Sequence, residues 1–303
     1  MKLGLALGGG AVRGLAHIGV LKVLKKHNIP IDFIAGTSMG GAIGGLIAAG
    51  IDVEEIEDFV LTTRPSYRMV DLGIGKRGLV AGNKLYGMLL QFLEQKGLSN
   101  IQIEQLPIPF RVVSVDLKKG KVFIFEQGNL SLAIRATTSV PGLFIPIKHE
   151  DKVLVDGGIL NNLPTDIPRK AGVEIVLAVD VEREHEEREP RSIIDVLNRS
   201  LSLMMVEMRR KNLQFADVIF RPRVGQFQAF DITKIKECIE AGEQEAERKI
   251  MEVVSLIKIE IDNAELTSMT NILKKGLTLG LGMIVTTQEQ AKRIADELVK
   301  KEN

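Results

Sequence analysis

One cysteine, Cys238, occurs in 303 residues. A lone thiol cannot close an internal disulfide, so the chain suits a reducing compartment. It stands in a charged helical stretch, KIKECIEAGEQEAERK, where a structural thiol is the plain reading and a catalytic one the alternative. An excess of charge of one sign is lacking as well. Lys and Arg number 40 against 39 Asp and Glu, a net charge of +1. No strong field therefore draws the chain to nucleic acid or to an anionic surface. No window holds the ~20 apolar residues of a membrane-spanning helix. The longest candidate, 276–285, is short and glycine-rich. The opening MKLGLALGGG has too short an apolar run for a secretory signal, so it reads as a first strand and the expected location is cytoplasmic. Histidine is scarce too, with only His17, His27, His149 and His185.

What remains is an ordinary globular balance, 45% hydrophobic and 26% charged, long enough for a sizeable core. Short apolar runs alternate with helical segments. Strands are expected at Leu3–Leu7, Ile31–Ala35, Phe110–Val115, Lys121–Phe125, Val153–Val155, Ile175–Val179 and Val218–Phe220. Helices are expected at Gly14–His27 and Gly40–Ala49, and from Ile193 on. The first is apolar on nearly every side and should be buried. The third carries Ile194, Leu197, Leu201, Met205 and Met208 at helical spacing, a core stripe before a lipid site. This alternation predicts an α/β three-layer sandwich, with a central, mainly parallel sheet flanked by helices. Between Arg64 and Gly82, Gly73, Gly75, Gly78 and Gly82 interrupt apolar residues. That stretch is either an irregular connection or a flap over an apolar site. The charge run Glu182–Arg191 reads as a solvated loop.

Three segments carry candidate chemistry. Gly36, Ser38 and Gly40 form G-x-S-x-G between an apolar strand and a small-residue helix. A serine nucleophile on a strand-to-helix turn needs such bare neighbours, and its Oγ then lies near the positive end of the helix dipole. A glycine-rich turn with an incidental serine is the alternative. The loop Gly8-Gly9-Gly10-Ala11-Val12-Arg13-Gly14 lacks the spacing and the later acid of a dinucleotide site, and lacks the Gly-Lys-Ser/Thr of a phosphate loop. It is either a tight turn or a set of amides converging on an oxyanion, with Arg13 adding charge. No histidine lies in a glycine-flanked loop after a late strand, where a triad base belongs. Asp156, at a strand end and freed by Gly157 and Gly158, is the candidate carboxylate base, with an Asp-Gly turn as its alternative.

These blocks, GGGAVRG, GTSMG and DGG, resemble in that order the glycine loop, nucleophile elbow and catalytic aspartate of patatin-like phospholipases. Ala11–Leu21, Ile134–Gly142 and Asn161–Pro164 are similar too, and the likeness covers about residues 3 to 255, most like the small bacterial members. The resemblance implies a Ser38–Asp156 dyad, oxyanion donors from Gly8, Gly9 and Gly10, and acyl-ester hydrolysis with no metal, nucleotide or other cofactor. It implies loop-shaping roles for Asn161 and Asn162. Acyl transfer and intracellular polyester (polyhydroxyalkanoate) hydrolysis are alternative outcomes, as is a non-enzymatic granule or membrane-surface scaffold. An aspartate of ordinary pKa, near 4, is a weak base for serine, so the site must raise it or lean on the oxyanion donors.

The expected division is a hydrolase domain over 1–261 and a helical tail over 262–303. In the tail, Thr287 and Gln290 offer a capping box, and Ala291, Ile294, Ala295 and Leu298 an apolar stripe. The tail resembles the start of small phasin-like proteins, which coat polyhydroxyalkanoate granules. A helix packing on its own domain or on a second copy is the alternative. The expected partners are thus a lipid or acyl-ester substrate, a membrane or polyester granule met through the tail, and a homo-oligomer that would strengthen such contact by avidity.

Overall fold

The computed structural model describes residues 1–63, 71, 78–182, 189–190 and 193–278. His185, most of the 64–82 glycine-spaced stretch, most of the charge run, and the capping box and stripe of the tail lie outside the described residues.

The strands are β1 (Leu3–Leu7), β2 (Phe33–Thr37), β3 (Phe110–Asp116), β4 (Lys121–Phe125), β5 (Ile147–His149), β6 (Lys152–Asp156), β7 (Ile175–Val179) and β8 (Val218–Phe220). The helices are α1 (Ala16–Lys26), α2 (Met39–Ala48), α3 (Val53–Thr63), α4 (Asn83–Gln95), α5 (Leu130–Thr137), α6 (Gly158–Asn161), α7 (Asp166–Lys170), α8 (Ile193–Leu213) and α9 (Ile235–Thr278). All strands join one sheet in the order β5-β6-β3-β2-β1-β7-β8, with β4 also paired to β3. The centre, β3-β2-β1-β7-β8, is parallel throughout. β4, β5 and β6 pair antiparallel. The expected mainly parallel sheet is therefore mixed, with its antiparallel part at the β3 end.

Pleating sorts the core into two faces, because alternate side chains of a strand point to opposite sides. On one, Ala6, Phe33, Ala35, Val113, Val176 and Ala178 pack with Leu163 and Ile167. On the other, α2 sits so close that a Cβ at Gly44 would lie 2.9 Å from Ile34 and 3.2 Å from Leu7. Helices thus cover both faces, the expected three layers. α1 starts two residues later than its pattern suggested, because Ala11–Leu15 is a 3-10 turn. β2 is displaced toward Ser38 from Ile31–Ala35, since Asp32 turns away to hold the amide of Leu3 through its carboxylate at 2.7 Å. β5 was not expected: two of its three residues, Lys148 and His149, are polar, as an edge strand permits. The buried face of α1 meets α9 at a crossing of Gly19 and Gly242, where either Cβ would collide with the other helix's backbone.

Residues Lys2–Met251 form one compact unit, and the chain from Glu252 belongs to a second. α9 runs unbroken through position 261, so the expected division falls inside a helix. On α8, Met205 and Met208 are half-buried, while Ile193, Val196, Leu203 and Met204 are exposed. Among the described residues no helix is long and apolar enough to cross a membrane.

Candidate active site

β2 ends at Thr37 and α2 begins at Met39. Between them Ser38 has φ 54° and ψ −124°, a strained conformation for a residue with a side chain. Its surroundings hold it there. The Ser38 amide donates to Thr137 Oγ1 at 2.8 Å, and its carbonyl accepts from Ala42 at 2.9 Å. The flanking glycines are steric requirements of the turn. A Cβ at Gly36 would lie 2.6 Å from the Gly40 carbonyl oxygen, and one at Gly40 would run into the Leu7 carbonyl. Gly14 likewise leaves room for Met39.

Asp156 ends β6 and is brought to this turn by pairing of β6 with the second half of β3. Its carboxylate accepts from the Gly158 amide at 2.8 Å, and the Ser38 side chain acts on it so as to lower its pKa. Its own amide donates to the Ser139 carbonyl at 2.9 Å. Gly157 beside it passes over the Val113 carbonyl, where no side chain fits. Both dyad residues are buried, Ser38 8% exposed and Asp156 5%. Burial disfavours the charged carboxylate and raises its pKa to about 6, against the Ser38 side chain and the Gly158 amide, which pull it down. The site thus holds a serine on a strained turn beside a buried carboxyl whose pKa is shifted toward neutrality.

The described histidines face elsewhere. His17 is buried and its Nε2 donates to the Gly8 carbonyl at 2.7 Å. Burial lowers its pKa to about 4, so at neutral pH it is uncharged. His27 lies 3.6 Å from Glu247, and His149 packs near Phe123 and Phe125. Cys238 is buried in α9, and burial pushes its thiol up to about 11, away from the thiolate a nucleophile needs.

The glycine loop lies against the dyad: a Cβ at Gly9 would sit 3.2 Å from that of Ser38. Its amides divide into two sets. Gly8 donates to Val179 at 3.1 Å and Gly9 to Asn162 at 2.9 Å. These two amides fix the loop's shape and are not open to an oxyanion, contrary to the reading that placed donors at Gly8 and Gly9. Among the described residues, the amides of Gly10 and Ala11 meet no acceptor. Ala11 has a positive φ of 50°, which turns the chain between those two amides and the 3-10 turn.

Arg13 is buried in that turn, and its Nη2 meets Glu182 Oε1 at 2.6 Å. Asn162 Nδ2 lies 3.4 Å from both the Gly9 carbonyl and Glu182 Oε2. Asn161, the last residue of α6, accepts from Thr37 Oγ1 through its carbonyl at 2.8 Å. The sequence reading assigned no role to Thr137, Ser139 or Glu182. Thr137 and Ser139 fall in the block 134–142 and so had a signal; Glu182 had none.

The family model described as patatin-like phospholipase matches residues 5–169. An uncharacterized NTE family protein of Mycobacterium tuberculosis is 34% identical over 207 residues, 65% of this chain and 55% of its own length. Lysophospholipase NTE1 of Debaryomyces hansenii is 34% identical over 201 residues, 65% of this chain and 13% of that protein. This chain thus spans about half the length of the mycobacterial relatives it matches. Among solved structures, VipD from Legionella pneumophila has a TM-score of 0.54 at 13% identity, over 82% of this chain and 66% of that one, a likeness of fold.

Proposed function

The chain belongs to the patatin-like phospholipase family, and we propose that it hydrolyses acyl esters of lipids, including lysophospholipid-like substrates, through a Ser38–Asp156 dyad. The observation that carries this reading is the buried Asp156 carboxyl, raised by its burial and acted on by the side chain of Ser38 on its positive-φ turn. Asp156 takes the Ser38 proton as Oγ attacks the ester carbonyl. The oxyanion that develops is met by the amides of Gly10 and Ala11, with the Met39 amide at the start of α2 beside the nucleophile. Gly8, Gly9 and Arg13 hold the loop that presents them. Protonated Asp156 gives that proton to the departing alkoxide, which leaves as the alcohol; Asp156 then draws a proton from water as hydroxide adds to the acyl carbonyl, and the proton returns to Ser38 Oγ as the carboxylic acid is released. A base with pKa about 6 is better matched to neutral pH than an ordinary aspartate.

The test is a panel of aryl esters, lysophospholipids, phospholipids and short polyesters, assayed with wild type and Ser38→Ala. Hydrolysis that falls at least about 10³-fold in Ser38→Ala supports the reading. Equal turnover by both proteins would refute it. Acyl transfer shares every step up to the acyl-enzyme, and added alcohol acceptors separate it from hydrolysis. Contact with a membrane or polyester granule through residues 262–303 is read by co-sedimentation of the full chain with vesicles or granules.

A further inference from the structure

Glu182 opens the charge run that reads as solvated, yet its side chain is only 15% exposed. It lies just past β7 and joins the two loops that build the site. One carboxylate oxygen holds Arg13 of the glycine loop at 2.6 Å. The other lies 3.4 Å from Nδ2 of Asn162, behind the Asp156-Gly157-Gly158 loop. Asn162 in turn reaches the Gly9 carbonyl with the same nitrogen and accepts the Gly9 amide through its own carbonyl. Glu182 is itself held, because its amide donates to Asp180 Oδ1 at 3.3 Å. Asp180 is buried and fixed by Arg209 of α8 at 2.9 Å, with Arg221 at 3.7 Å. The contacts Arg209–Asp180–Glu182–Arg13 therefore link α8 to the glycine loop.

We propose that Glu182 is a positioning residue of the reaction, clamping the glycine loop to the loop behind Asp156 so that the oxyanion donors and the dyad keep one spacing. The proposal rests on the dyad reading above. The spacing matters because a displacement near 1 Å costs about 10²-fold in rate. The clamp has a second consequence. Facing Asp156 are the Ser38 hydroxyl from the elbow, the Gly158 amide at the start of α6, and the Glu182 charge. The first two favour the carboxylate, while Glu182 and burial favour its protonated form. The positive charges nearby are already engaged, Arg13 with Glu182 and Arg209 with Asp180. His17 stays neutral. Removing the Glu182 charge lowers the Asp156 pKa, so the acid limb of the rate profile moves to lower pH.

The experiment compares wild type, Glu182→Gln and Glu182→Asp on a soluble aryl ester across pH, with thermal melting of each. In Glu182→Gln, kcat should fall by roughly 10- to 100-fold with KM unchanged, and the acid-limb midpoint should drop. Glu182→Asp keeps the charge but shortens the arm, so the midpoint should return while kcat stays low. If Glu182→Gln does not fold, Arg13→Lys replaces it and should lower kcat with the midpoint unmoved. Wild-type kcat in Glu182→Gln, or in Arg13→Lys where that stands in, overturns the proposal, as does an unmoved midpoint in Glu182→Gln. Ser38→Ala and fluorophosphonate labelling run alongside. If wild-type Ser38 does not label, the dyad reading fails and this proposal with it. If Ser38 labels and Glu182→Gln behaves as wild type, this proposal alone fails.

Discussion

Asp156 is kept in a state that costs stability, and that cost is measurable. Replacing it by Asn keeps the shape and the acceptor for the Gly158 amide, and removes the charge. Burial raises the folded-state pKa from the ordinary 3.8 to about 6. Each tenfold change in proton affinity is about 1.36 kcal/mol, so the difference amounts to about 3 kcal/mol at pH 7. The sign follows from proton counting. Between pH 4 and pH 6 the folded wild type binds more protons at this site than the unfolded chain, so this group's contribution falls as pH rises. Below about pH 3 both states hold the proton and no cost remains. Asp156→Asn should therefore be more stable than wild type at pH 7, by up to about 3 kcal/mol, or roughly 6–12 °C in Tm for a chain this size. The gain should shrink to roughly 0.5 kcal/mol by pH 4 and vanish near pH 3. His17, buried neutral with its pKa lowered to about 4, acts in the opposite direction, losing stability as pH falls from about 6.5 to 4. It is present in both proteins, so the difference between them cancels it. The assay is a pair of thermal melts at pH 4, 5, 6 and 7. An Asp156→Asn protein that melts at or below wild type at pH 7 would refute the burial argument.

The same carboxyl sets the rate profile: kcat/KM should rise with pH and reach half its plateau near pH 6, and a profile flat from pH 5 to 8 would exclude Asp156 as the base. Gly10→Val should block the open amides and meet Val181, which a Cβ there would approach to 2.6 Å. The expected loss is about 2.7–4 kcal/mol of transition-state stabilisation, read in kcat, whereas a change confined to KM would mean the loop binds the ground state. Gly19→Ala should force α1 from α9 and destabilise the fold by roughly 1–3 kcal/mol, measured by urea unfolding with Gly87→Ala, where a Cβ meets nothing within 4 Å, as the control.

Much of the sheet was legible because β1, β4, β7 and β8 are short apolar runs bounded by turn residues, and their limits match the expected ones. The elbow and Asp156 were legible because glycines flank both, a local signal of a crowded turn. What the chain did not display locally depended on distant partners. The Gly8 and Gly9 amides are engaged by Val179 and Asn162, more than 150 residues away, so their unavailability has no trace in the loop itself. Thr137 holds the Ser38 amide across 99 positions. Glu182 sits beside EHEERE, and that composition reads as solvent-facing although its first carboxylate points inward to Arg13. β5 was hidden by its polar residues, and the length of α9 by charges spread around all its sides.

The central claim is that Ser38 is a nucleophile activated by Asp156. The most direct measurement is fluorophosphonate labelling at pH 7.5, with peptide mapping of the adduct and its rate in wild type, Asp156→Asn and a protein lacking all four histidines. A single adduct on Ser38 is expected, formed in wild type and the histidine-free protein and greatly slowed in Asp156→Asn. An adduct elsewhere, or labelling that survives Asp156→Asn and is lost with the histidines in a folded protein, would contradict it.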